Sequence, residues 1–131
     1  MQWRRPPFPI ALSAPFAVPL VVAMVTAGED GPHITATWGD YVRTLGIGED
    51  RLVIPAGSYR QMEANLARND AIQLLVASRR VQGTTGLGQG FSLKGTGRIV
   101  DSGEDMDRVK AHFPWARGAL IVQVTEVVAH L

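Results

Sequence analysis

The chain contains no cysteine. That absence excludes disulfides, thiolate metal sites and a thiol nucleophile together, and it leaves the redox compartment unread. An excess of one charge is missing too. Thirteen Lys and Arg stand against 12 Asp and Glu, a net charge of +1, which argues against a nucleic-acid surface held by phosphate contacts. Lysine is scarce, two residues against eleven arginines; arginine suits planar, two-pronged anion contacts. Histidine is scarce as well. His33, His112 and His130 are scattered, with none at the i, i+4 spacing of a helical metal site, so no metal is expected. No serine sits in a nucleophile elbow, and hydrolase chemistry has no support. There is no internal repeat, low-complexity tract or linker-like shift in composition.

What is present is an ordinary globular composition, 46% hydrophobic and 19% charged over 131 residues. One domain, residues 1–131, is expected. Arg4 and Arg5 precede an apolar run from Phe8 to Ala27 that has the length of a membrane span. Its ending, Val25-Thr26-Ala27, resembles the small-residue site of a secretory signal. Pro9, Pro15 and Pro19 each remove a backbone donor and oppose a helix there. Leu20 to Thr26 is therefore read as a buried first strand, apolar on both faces and covered on both sides. The protein is expected to be cytoplasmic, without a membrane or nucleic-acid partner.

Pro9 to Phe16 has room for a short helical turn. Glu29-Asp30-Gly31-Pro32 is turn chemistry leading into a strand from His33 to Val42. Gly46 to Asp50 is a second turn, followed by a short strand from Arg51 to Pro55. Ser58 to Asn69 reads as a helix, with Ser58 and Gln61 in capping-box spacing and Met62 and Leu66 at i, i+4. Ala71 to Val81 is a strand. Gly90 to Val100 alternates, with Phe91, Leu93, Gly95, Gly97 and Ile99 on one side. Glu104 to His112 is a second helix opened by Ser102, and Gly118 to Val128 is the last strand. Six strands with helices inserted among them predict an α+β protein: a six-stranded antiparallel split β-barrel of Greek-key type with short inserted helices.

Two segments carry chemistry. In Glu29 to Tyr41, Trp38 and Tyr41 lie three apart and do not share a face by simple alternation. A bend at Gly39 would bring both rings to one site; ordinary core aromatics after a hairpin turn are the alternative. The loop Gly83 to Gly90 lacks the Gly-Lys-Ser/Thr ending of a phosphate loop, and it precedes a strand rather than the helix of a dinucleotide fingerprint. It reads either as a flexible hairpin loop or as exposed amides and threonine hydroxyls that approach a flat ligand closely.

Taken in order, several pieces carry a family likeness: Glu29-Asp30-Gly31-Pro32-His33, Thr37-Trp38 with Tyr41, Glu63-Ala64-Asn65 with Ala67-Arg68, Ser78-Arg79 with Val81, Gly86, Gly88, Gly90-Phe91 and Trp115-Ala116-Arg117. From about Val21 to Leu131 the chain resembles the FMN-binding split barrels of the pyridoxamine-phosphate oxidase superfamily, and among them the small FMN-binding proteins of sulfate-reducing bacteria. Residues 1–19 match poorly.

The resemblance implies a homodimer with one FMN per subunit near the interface, and a redox partner of unknown identity. It places Thr37, Trp38, Tyr41 and Trp115 around the flavin ring and Leu131 against the flavin of the other subunit. The turn from Ile54 to Gly57 and the start of the Ser58 helix match the segment that holds phosphate and ribityl groups, with Pro55, Ala56, Gly57, Arg60, Gln61 and Met62 as its cofactor-binding residues. Arg80, Thr84, Thr85, Gly86 and Gly88 complete the implied set. A helix N-terminus suits this, since it presents free amides and a positive dipole end to an anion.

Two departures stand out. Gln61 and Met62 replace a lysine and a threonine on the phosphate, and Ala36 replaces an asparagine near the ring. Losing one charge-assisted contact weakens phosphate binding by about 1.5–3 kcal/mol unless Arg60, Arg79 or Arg80 replaces it. The implied activity is electron transfer or flavin-dependent reduction of a small molecule. The rival is a non-catalytic dimeric barrel with a weakened or lost FMN site, or a carrier of another planar ligand.

Overall fold

The structure, a computed structural model, describes residues 2–4, 21–46, 48, 50–82 and 87–130. The chain runs β1 (Gln2–Arg4), β2 (Val21–Gly28), β3 (Gly31–Trp38), α1 (Gly39–Leu45), β4 (Arg51–Ala56), α2 (Arg60–Arg68), β5 (Ala71–Gln82), β6 (Leu87–Val100), α3 (Glu104–His112) and β7 (Gly118–Ala129). Every pairing is antiparallel, in the order β1-β7-β6-β5-β2-β3. One edge of β7 follows β6; the other is shared between β4, on Gly118–Gln123, and β1, on Val127–Ala129. The six expected strands are present as a curled half-barrel, with three short helices among the described residues, and the short strand Gln2–Arg4 is an addition. Among the described residues β3 pairs with β2 alone and β4 with β7 alone, so the barrel is split between them.

Strand β7 is the axis of the core. Leu120, Val122 and Val124 face Leu52 and Ile54 of β4, Leu74 of β5, Leu93 of β6 and Met62 and Leu66 of α2 in one cluster. A second cluster, Leu45, Val53, Met106, Val109, Ala116 and Ala119, seats α1 and α3 on the outer side of β4 and β7. Between Lys94 and Gly95 the β6–β7 register shifts, with Thr125 as the extra residue; its hydroxyl donates to Lys94 O at 3.1 Å. A Cβ on Gly95 would sit 1.9 Å from Gln123 O, so the crossing strands need a glycine there.

Four expectations change. The strand expected to reach Val42 stops at Trp38. From Gly39 the buried positions, Gly39, Val42 and Leu45, recur at helical spacing, Asp40 meets the N-terminal dipole, and Asp40 pairs with Arg43 at 3.1 Å. The first strand is covered on one face only. Val22, Met24 and Thr26 are buried, while Val21, Ala23 and Val25 look outward. The Ser58–Gln61 capping box does not form, because α2 begins at Arg60 and Tyr59 takes the cap position. Ser102 does not open α3; Gly103 does, at φ 101°. The turn expected at Pro9–Phe16 lies outside the described residues. No helix among the described residues is long and apolar enough to cross a membrane.

Candidate functional site

The barrel's split is also its principal cleft. Ala36, Thr37 and Trp38 line it from β3, Tyr41 from α1, Pro55 from β4, Gly57, Ser58 and Tyr59 from the following turn, Trp115 from the approach to β7, and Val21 from β2. The volume is about 380 Å³, within the range of small-ligand clefts. Pro55 is tolerated in β4 because this is an edge strand, where a missing N–H breaks no second ladder.

Trp38 and Tyr41 reach this one cleft by a strand-to-helix break at Gly39, not by a bend within a strand. Tyr41 stands in an aromatic group, with its ring centroid 4.9 Å from Phe113 and 5.7 Å from Trp115, and Phe113 is 5.7 Å from Trp115. The interplanar angles of 50–60° are those of tilted aromatic packing. Trp38 and Trp115 remain 55% and 53% exposed, so two large apolar surfaces face the cleft mouth without protein cover.

The turn between β4 and α2 is held by Arg117. Its amide donates to Ala56 O and its Nε to Ser58 O, both at 2.9 Å, and its Nη1 lies 3.3 Å from Glu63 Oε1. Tyr59 follows at φ 56°, in the left-handed region. Its hydroxyl crosses the split and donates to Ala36 O at 2.6 Å. Burial raises the phenol's pKa above 10.0, and the neighbouring Thr37 hydroxyl opposes that. Thr37 Oγ1 is itself buried without a hydrogen bond of regular geometry.

Of the residues expected at the site, Thr37, Trp38, Tyr41, Pro55, Gly57 and Trp115 line this cleft. Ala56 is buried behind the turn. Arg60 is exposed in the first turn of α2 and forms no hydrogen bond or ion pair with the described residues. Gln61 points along its helix, donating to Asn65 Oδ1 at 2.9 Å, and lines a separate depression with Gly28 to His33. Met62 is fully buried in the core. Arg80 lies in β5 and Gly88 in β6. Thr84, Thr85, Gly86 and Leu131 lie outside the described residues. Ser58, the expected start of the phosphate segment, lines the cleft too; Val21 and Tyr59 are additions to the expected lining, and Phe113 packs against Tyr41 and Trp115. The capping-box reading places Tyr59 inside a helix, whereas Phe113, two residues before Trp115, carries a usable aromatic signal. No group of His, Asp and Glu among the described residues is arranged to hold a metal.

Comparison with known proteins agrees with this architecture. A family model described as pyridoxamine 5'-phosphate oxidase matches residues 9–128. An FMN-binding protein of Nitratidesulfovibrio vulgaris is 39% identical over 104 residues, 79% of this chain and 83% of that one. Two solved structures share the fold. One is a protein of Clostridium acetobutylicum related to general stress protein 26, of the pyridoxine-phosphate oxidase family, with TM-score 0.67 and 17% identity over 92% of this chain and 86% of that one. The other is an FMN-binding protein of Syntrophomonas wolfei, with TM-score 0.59 and 15% identity over 84% and 76%.

Proposed function

The chain belongs to the pyridoxamine 5'-phosphate oxidase family, and we propose that it is an FMN-binding flavoprotein working in electron transfer or in reduction of a small molecule. The observation that carries this reading is the convergence of Trp38, Tyr41 and Trp115 on one cleft at the split of the barrel. A flat, largely apolar ring suits such walls, and the unpartnered Thr37 hydroxyl offers it a polar contact. The N-terminal amides of α2, which no side chain caps, and the neighbouring Arg60 suit the phosphate. A bound flavin supplies the hydride or electron chemistry. The chain's own residues bind and orient it: the aromatic walls keep water from the ring, and Arg117 fixes the turn from which the phosphate is held.

The same reading includes a homodimer. Val21, Ile34, Trp38 and Leu75 are exposed, and the strand register places them on one outward face of β2, β3 and β5. Val21 and Trp38 also line the cleft, so that face and the site are continuous. The family resemblance assigns the cover of the partner's flavin to Leu131.

Gln61 and Met62 favour a second reading, a dimeric barrel that carries another planar ligand. Neither side chain reaches the cleft, one being tied to Asn65 and the other buried. The visible spectrum of the purified protein separates the two. A flavin spectrum with FMN released on heating supports the first reading. A colourless protein that takes up no added flavin supports the second.

A further inference from the structure

Tyr59 is held where local preferences do not place it. Among the described residues it is the one non-glycine at positive φ (56°, with ψ 33°), and for a bulky aromatic residue that is a strained conformation of the kind kept at functional sites. It occupies the cap position of α2, yet its side chain caps nothing. Instead the ring lines the cleft and the hydroxyl gives its proton to Ala36 O. With that proton committed, the phenolic oxygen has only lone pairs left to offer, so toward the cleft it acts as an acceptor.

Beside it stands the complementary group. Thr37 is 6% exposed, lines the same cleft, and has a buried hydroxyl without a partner. Such a group is costly unless something completes it. Tyr59 bonds the carbonyl of Ala36, the residue next to Thr37, and both side chains belong to the lining of the one cleft, while Thr37 Oγ1 makes no hydrogen bond of regular geometry. A donor and an acceptor therefore sit side by side on a wall that is otherwise aromatic and apolar.

We infer that Tyr59 is a specificity-determining residue of the cleft: its phenolic oxygen and the Thr37 hydroxyl form an acceptor–donor pair that reads an adjacent N–H and C=O on one edge of a planar ring, the imide edge of a flavin. The inference rests on the flavin reading above and adds to it the edge that is recognised. Ligand N–H donates to Tyr59, and Thr37 donates to the ring carbonyl. A site built around such a pair discriminates sharply against a ligand that cannot complete it, because the polar groups are then left buried and unmatched.

The test uses riboflavin and its N3-methyl derivative, which lack the phosphate and differ at the imide N–H. The wild-type chain should bind riboflavin about 10-fold or more tighter than the methylated form. Tyr59→Phe keeps the ring and should reduce that preference to within about threefold, by the same reasoning. Thr37→Val keeps the shape and should weaken riboflavin by about 10-fold. Equal binding of the two flavins by wild type, a full preference surviving in Tyr59→Phe, or unchanged riboflavin affinity in Thr37→Val each overturns the inference and leaves the flavin site standing. Failure of wild type to bind FMN or either of these flavins overturns the flavin reading and this inference with it.

Discussion

Gly57 and Trp115 touch through a missing methyl group: a Cβ built on Gly57 would lie 3.1 Å from Cζ3 of the indole. The turn that ends β4 thus sets the position of one wall of the cleft. Gly57→Ala should push the half-exposed indole outward by a few tenths of an ångström. Stability should change by less than about 1 kcal/mol, since the ring can move into solvent. Flavin affinity should fall about three- to tenfold, roughly 1 kcal/mol on the affinity scale. Thermal unfolding and a flavin titration on the same variant report the two effects separately.

Arg60 stands in the first turn of α2, beside the amides proposed to hold the phosphate. Arg60→Ala should weaken FMN by about 10- to 100-fold, the loss of one charge-assisted contact, while riboflavin changes less than about twofold. Parallel titrations at one ionic strength check this. Equal losses for both ligands would move the phosphate contact to another arginine, with Arg80 next in line.

Leu75 projects from the outward face of β5, 47% exposed. If that face joins two copies, Leu75→Glu buries a charge at the interface and should give a monomer by sedimentation. Folding should be unaffected, because the side chain makes no part of the core. FMN affinity should fall with dimerisation, since the face runs into the cleft through Val21 and Trp38.

The strand pattern was legible in the sequence because each strand has its own alternation or apolar run, bounded by Gly, Pro, Asn or Asp. The cleft aromatics were legible by residue type. What was not legible came from tertiary competition. Trp38 to Val42 looks extended residue by residue, but burial of Val42 in the main core and of Leu45 in the cluster that holds Val53 of β4 draws it into a helix. Ser58 has the spacing of a cap, yet its carbonyl is held by Arg117, a residue 59 positions away, and the helix starts later. Gln61 has the sequence position of a ligand-facing residue, but Asn65, one turn along, holds its amide.

Tyr59 also gives the stability a pH dependence. Burial raises its folded pKa above the ordinary 10.0. The folded chain therefore holds a proton that the unfolded chain releases first. The stabilisation is fully present below pH 10 and is lost as pH rises through the folded pKa. Denaturant unfolding between pH 9 and about 11.5 should show a steeper decline for wild type than for Tyr59→Phe. Parallel curves would mean that the phenol titrates alike in both states.

Equilibrium titration of the flavin-free chain with FMN, followed through tryptophan fluorescence and flavin absorbance, decides whether the split of this barrel is an FMN site. Binding should saturate at one FMN per chain, with quenching as Trp38 and Trp115 meet the ring. Absence of saturable binding of FMN or riboflavin up to about 1 mM, roughly −4 kcal/mol, would contradict it.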